Sequence, residues 1–91
     1  MDKTIYRKFK GGEVIALFPQ ITAGKFGWHC ESYMHTGQHG AASPDIVQCT
    51  KPATPVEYQQ LHKELEQIGY NPVPALKFTY KDQLIRASQR N

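Results

Sequence analysis

The residues best equipped for chemistry lie close together in the segment Trp28-His29-Cys30-Glu31-Ser32-Tyr33-Met34-His35-Thr36-Gly37-Gln38-His39-Gly40. Three of the four histidines in the chain fall within it, with a carboxylate and a phenol between them. Read as a strand over 28–35, its period of two separates two faces. Trp28, Cys30, Ser32 and Met34 take a core-like face, and His29, Glu31, Tyr33 and His35 take the other. On that second face Glu31, Tyr33 and His35 stand about 7 Å apart. An imidazole beside a carboxylate can move protons near neutral pH. These three are therefore the candidate catalytic set, for acid–base chemistry on a nucleotide or phosphoester. No nucleophile motif accompanies them, because Cys30 points to the opposite face. The leading reading is binding without turnover. In it His29, Glu31, Tyr33, His35, Gln38 and His39 form a face that engages a protein or a small ligand.

Zinc does not fit this spacing. A strand rises about 3.3 Å per residue, which sets His29 and His35 about 20 Å apart, while zinc ligands approach the metal to about 2 Å. His35 and His39 are separated by Gly37, which disfavours a helical pair. Cys30 and Cys49 lack metal-type spacing and read as small apolar groups in a reducing compartment. No metal and no cofactor is expected. Gly37-Gln38-His39-Gly40 could turn amides toward an anion, but it matches neither phosphate-binding glycine pattern, and a plain turn is the simpler reading.

The net charge of +3 is unevenly placed. Residues 1–10 carry Lys3, Arg7, Lys8 and Lys10 against Asp2, and residues 77–91 carry Lys77, Lys81, Arg86 and Arg90 against Asp82. The middle of the chain is acidic. If the first and last strands are neighbours, Tyr6, Lys8 and Lys10 join Lys77, Tyr80 and Lys81 in a basic, aromatic ribbon able to hold phosphates and stack bases. This is a third functional reading. Lysines that keep an edge strand soluble explain the same pattern, and no recognised nucleic-acid motif accompanies it.

Ninety-one residues support one domain, 1–91. An apolar share of 40%, with one Trp, five Tyr and four Phe, is enough for one core and excludes a disordered chain. No apolar run is long enough to cross a membrane, and the first residues contain no secretory apolar region. A cytoplasmic protein without a membrane partner is expected.

The positioning elements read as follows. Thr4 to Lys10 alternates as a strand, and Gly11-Gly12 marks a hairpin. Val14-Ile15-Ala16-Leu17-Phe18 has the continuous apolar character of a strand covered on both faces, ended by Pro19. Residues 19–27 and 36–45 read as loops, and 45–50 as a short strand. The best-marked element is a helix over about 54–69. Thr54 caps it, Pro55 sits at the first helical position, Glu57 closes a capping box, and Gly69 ends it. Tyr58, Leu61, Leu65 and Ile68 make its apolar stripe. Leu76, Phe78 and Tyr80 alternate as a last edge strand, and 82–91 reads as a short helical or frayed tail.

The strings GEVIALFP (12–19), SYMHTGQHGAA (32–42), TPVEY (54–58) and IGY (68–70) resemble a group of short uncharacterised proteins of bacteria, phages and plasmids. The resemblance covers about residues 7–70. It implies a small accessory protein, carried on a phage or mobile element and acting on a host or viral partner, and it transfers no activity. The expected fold is α+β: a mostly antiparallel sheet of three to five strands with the 54–69 helix on one face. That helix is expected to cover the Trp28, Cys30 and Met34 side and to leave His29, Glu31, Tyr33 and His35 open. A thin sheet with an exposed edge also permits a homodimer.

Overall fold

The capping signals at Thr54 do start a helix. The computed structural model describes residues 1–23, 28–35 and 37–89 and places α1 at Pro55–Gln67. Glu57 N donates to Thr54 Oγ1 at 3.3 Å, and Thr54 N donates to Glu57 Oε1 at 2.9 Å, so both halves of the capping box are closed. At the other end Gly69 takes φ +110°, a conformation that residues with a side chain resist. Gly69 N donates to Glu66 O and Tyr70 N to Leu65 O, the Schellman pattern. Leu61 and Leu65 are buried and Tyr58 is half-buried, whereas Ile68, at the C-cap, is 48% exposed. Thr54→Ala should lower stability by about 1 kcal/mol. The measurement is a urea midpoint that falls while the slope of the transition stays constant.

Among the described residues the sheet has six strands, more than expected. They are β1 (Asp2–Phe9), β2 (Val14–Ala23), β3 (His29–Met34), β4 (Gln38–Ala42), β5 (Thr50–Pro52) and β6 (Pro72–Ala75). The order is β4-β3-β2-β1, with β5 and β6 both on the outer side of β1. All pairings are antiparallel except β1 with β6. The β1–β2 turn closes as Gly12 N donates to Phe9 O and Phe9 N to Glu13 O, with Gly12 at φ +98°. That is a three-residue loop with glycine in the left-handed position.

Five expectations about the elements need correction. Pro19 does not end β2. The strand runs on to Ala23 through a register shift between Phe18 and Thr22, and a bulge is where a sheet tolerates proline. The 36–45 loop is mostly β4, paired residue for residue with β3 from Met34↔Gln38 to Cys30↔Ala42. Of the strand expected over 45–50, only Thr50 is extended, as the first residue of β5. Ser43 caps a 3₁₀ turn at Pro44–Cys49 and β5 follows it. Arg7 holds that turn by donating to the carbonyls of Val47 and Thr50 and to Thr50 Oγ1. The last strand is Pro72–Ala75 rather than 76–80, since an outer strand can do without the amides that its prolines lack. Of the two alternatives for the tail, helical or frayed, the described residues take the helical one, and the helix is longer and begins earlier than expected: α2 spans Tyr80–Gln89. Residues 24–27 of the expected 19–27 loop, Thr36 of the expected 36–45 loop, and the last two residues of the tail lie outside the described residues.

Two cores follow from this order. On one face α1 packs Leu61 and Leu65 against Tyr6, Ala16, Phe18 and Tyr33. On the other, Ile5, Ile15, Leu17, Cys30 and Ala42 meet Met34, Ile46 and Phe78, and α2 lies along β2 on the same side. Coverage on both faces explains the continuous apolar run Val14–Phe18. It also reverses the expected arrangement, because α1 covers the Tyr33 face and not the Cys30 and Met34 face. Trp28 belongs to neither: it precedes β3 and is 57% exposed.

Candidate ligand cleft

The β3–β4 hairpin and the end of α1 hold a cleft between them. Tyr33 reaches it from β3, His39 from the paired position on β4, Gly37 from the turn, and Ile68, Gly69 and Tyr70 from the end of the helix. The open volume is about 430 Å³. Tyr33 is 2% exposed and anchors the floor. His39 stands edge-on to it, with ring centroids 4.7 Å apart at 68°. Tyr70 lies flat on Phe18, with centroids 4.7 Å apart at 9°, and its ring centroid is 6.4 Å from that of His39. The Schellman turn fixes Tyr70 relative to α1, and strand pairing fixes His39 relative to Tyr33.

The electrostatics of the cleft are acidic. Burial, then the charge of Glu64, pushes the Tyr33 phenol above its ordinary pKa, and its hydroxyl is hydrogen-bonded to Glu64 while accepting from Gly37 N at 3.1 Å. Burial, then Glu31, pushes Tyr70 up as well. Both phenols are therefore neutral hydrogen-bonding groups at physiological pH. The last turn of α1 carries no basic residue, so the partial negative charge of the helix end is uncompensated there.

The expected site residues are distributed by this geometry as follows. Tyr33 is a core residue with its hydroxyl at the cleft. Glu31 shares its face, half-buried. His35 stands outside the cleft with its side chain 69% exposed, and its Nδ1 is 3.1 Å from Glu64 Oε2. His29 is exposed at the far end of β3. Gln38 pairs with Met34 and so lies on the opposite side of the sheet from His39. The candidate catalytic trio is thus divided, and the cleft brings together Tyr33 and His39 with Tyr70, which the sequence reading did not single out. The signal for Tyr70 was the residue following the helix-ending glycine, which the Schellman motif places against the helix.

The basic ribbon does not form. Tyr6 is buried, its ring stacked on Tyr58 with centroids 4.0 Å apart. Its hydroxyl is hydrogen-bonded to His62 Nδ1 at 2.7 Å. Burial pushes that phenol up and keeps it neutral, and His62 Nε2 faces Glu66 at 3.8 Å. Lys8 is ion-paired with Glu57, whose carboxyl that contact lowers to about 2. Lys8 and Lys10 instead line a separate cavity of about 460 Å³ with Lys51. Lys77 lies after β6, and Tyr80 and Lys81 open α2, so none of these three stands on a strand beside β1.

Among the described residues no three His, Cys, Asp or Glu side chains converge on one point, and no helix is long and apolar enough to cross a membrane. Cys30 is buried and Cys49 exposed, both as free thiols, and burial raises the Cys30 thiol to about 11. Comparison with protein families, with curated proteins and with solved structures gives no match.

Proposed function

We propose that the chain is a small binding module that takes a ligand into the cleft between the β3–β4 hairpin and the end of α1. The observation that carries this reading is the convergence of Tyr33, His39 and Tyr70 around an open volume of about 430 Å³, with each ring held by an element that is itself packed or paired. Ligand sites are typically concave, with aromatic walls and a few polar groups that orient what enters. The division of Glu31, Tyr33 and His35 weighs against proton-transfer catalysis. The buried Tyr6 ring weighs against nucleic-acid binding. A cytoplasmic accessory role on a phage or mobile element, as the resemblance implies, is part of the same proposal.

The test is amide chemical-shift mapping against a fragment library that contains cationic, anionic and neutral aromatic members. Hits should displace Gly37, His39, Gly69 and Tyr70. His39→Ala should abolish those shifts while leaving the melting temperature within about 2 °C, as an exposed substitution does. Shifts that cluster instead at Lys8, Lys10 and Lys51, or a library silent at the cleft, would refute the reading.

A further inference from the structure

The cleft opens beside a strand that, among the described residues, has no partner on its outer side. β4 is the end of the sheet order, and four of its five residues, Gln38 to Ala41, are exposed. Sheet edges normally carry devices against stray pairing: a lysine, a proline, an inward charge or an extreme shortness. The opposite side of the sheet has them. β5 is three residues ending in Pro52, and β6 contains Pro72 and Pro74. β4, Gln-His-Gly-Ala-Ala, has neither proline nor charge, and its small residues leave the backbone open to approach.

His39 lies on the α1 side of β4, across from Tyr33. A strand laid along β4 therefore presents alternate side chains on the side where the cleft opens. The groups there favour a cation. The exposed His39 ring and the outer face of the half-buried Tyr70 ring offer π-surface, and the buried Tyr33 adds its hydroxyl. Glu64 reaches the Tyr33 hydroxyl, Glu31 acts on Tyr70, and the helix end adds its negative pole with no basic residue in the last turn. Among the described residues that line the cleft, none is a lysine or arginine.

We propose that β4 takes up an extended segment of another protein as an added strand, with a lysine or arginine side chain of that segment seated among Tyr33, His39 and Tyr70. The proposal rests on the cleft being a binding site and adds what enters it. Backbone hydrogen bonds to β4 supply sequence-independent affinity, and the acidic aromatic cleft selects the side chain. A second copy of this chain fits less well. Two-fold pairing about Gly40 brings His39 and Ala41 of each copy together and offers the cleft no lysine or arginine from β4.

The test uses blocked hexapeptides, Thr-Val-Lys-Val-Thr-Val and the same sequence with norleucine or glutamate in place of lysine, followed by amide exchange and titration. The lysine peptide should bind about tenfold more tightly than the norleucine peptide, a desolvated cation–π difference, and the glutamate peptide more weakly than both. On binding, those amides within 38–42 that point away from β3 should gain protection. In His39→Ala the preference for lysine should shrink to within about twofold. Equal binding of lysine and norleucine peptides, or binding without protection of β4, would overturn the proposal. So would a dimer in sedimentation whose β4 amides are protected without peptide. n-Butylammonium separates the two ideas. If it shifts His39 and Tyr70 while no peptide binds, the cleft remains a site and the added strand is wrong.

Discussion

Asp82→Ala should lower the stability of the protein by about 3 kcal/mol, read as a melting temperature lower by on the order of 15 °C. Asp82 is 1% exposed although it is a carboxylate at the start of a surface helix. It accepts from Lys3 Nζ at 2.6 Å, from Gln20 Nε2 at 3.0 Å and from Thr79 N at 2.8 Å. One group therefore ties β1, β2 and the cap of α2 together. Its removal leaves the Lys3 ammonium without its carboxylate at a largely covered position, and the figure is at the lower end for a broken buried pair because Lys3 keeps a 20% exposed side chain that can turn to water. One turn later Arg86 donates to Pro19 O at 2.5 Å, with its guanidinium over Phe78. These contacts hold α2 over the second core. A loss below 1 kcal/mol would show that α2 is held by its apolar contacts alone.

The same residue sets an acid limit. Burial works to raise the Asp82 carboxyl, but the hydrogen bonds from Lys3, Gln20 and Thr79 outweigh it, and the pKa lies below the ordinary value. A carboxyl lowered in the folded state contributes stability that is fully present above its unfolded pKa of about 4 and is lost as pH falls through the folded value. The stability difference between wild type and Asp82→Asn should accordingly be constant from pH 7 to about pH 5 and shrink below about pH 4.

How much of this was legible depends on the range of the forces involved. The α1 boundaries were readable because caps are local: Thr54, Pro55, Glu57 and Gly69 act within one turn of where they stand. The double coverage of Val14–Phe18 was readable from its unbroken apolar run. The element that supplies the second cover was not, although Thr79-Tyr80-Lys81-Asp82 is a capping box that could have marked its start. It was masked by the Leu76, Phe78, Tyr80 alternation, which fits a strand equally well. The face of β3 was misassigned for a different reason. Alternation divides a strand into two sets but does not say which set meets which helix, and with helices on both sides both sets are covered in part. Polarity misled here, because the hydroxyl of Tyr33 is satisfied by the Gly37 amide and by Glu64 and so can be buried. The cleft is assembled from residues 33, 37, 39 and 68–70, and nothing local relates the hairpin to the turn after α1.

Tyr33 makes the second large effect, and it separates structure from recognition. Tyr33→Ala should cost about 3–5 kcal/mol, the range for deleting a buried aromatic ring, because the ring packs with Phe18, Leu61 and Leu65 under α1. Tyr33→Phe keeps the ring and removes only the bonds to Gly37 N and Glu64, so about 1 kcal/mol is expected. His35→Ala, by contrast, removes an exposed ring paired with Glu64 and should change stability by less than about 0.5 kcal/mol. Urea titration of the three variants gives all three values on one scale. The order matters for every binding experiment on this face. A ligand lost in Tyr33→Ala says little, since the floor of the cleft goes with the core. A ligand lost in Tyr33→Phe, with the fold intact, would mean that the hydroxyl itself faces the ligand, and a ligand retained there would leave selection to His39 and Tyr70. Near-wild-type stability of Tyr33→Ala would mean that the ring is not part of the α1 core, and the packing on which the cleft depends would have to be redrawn.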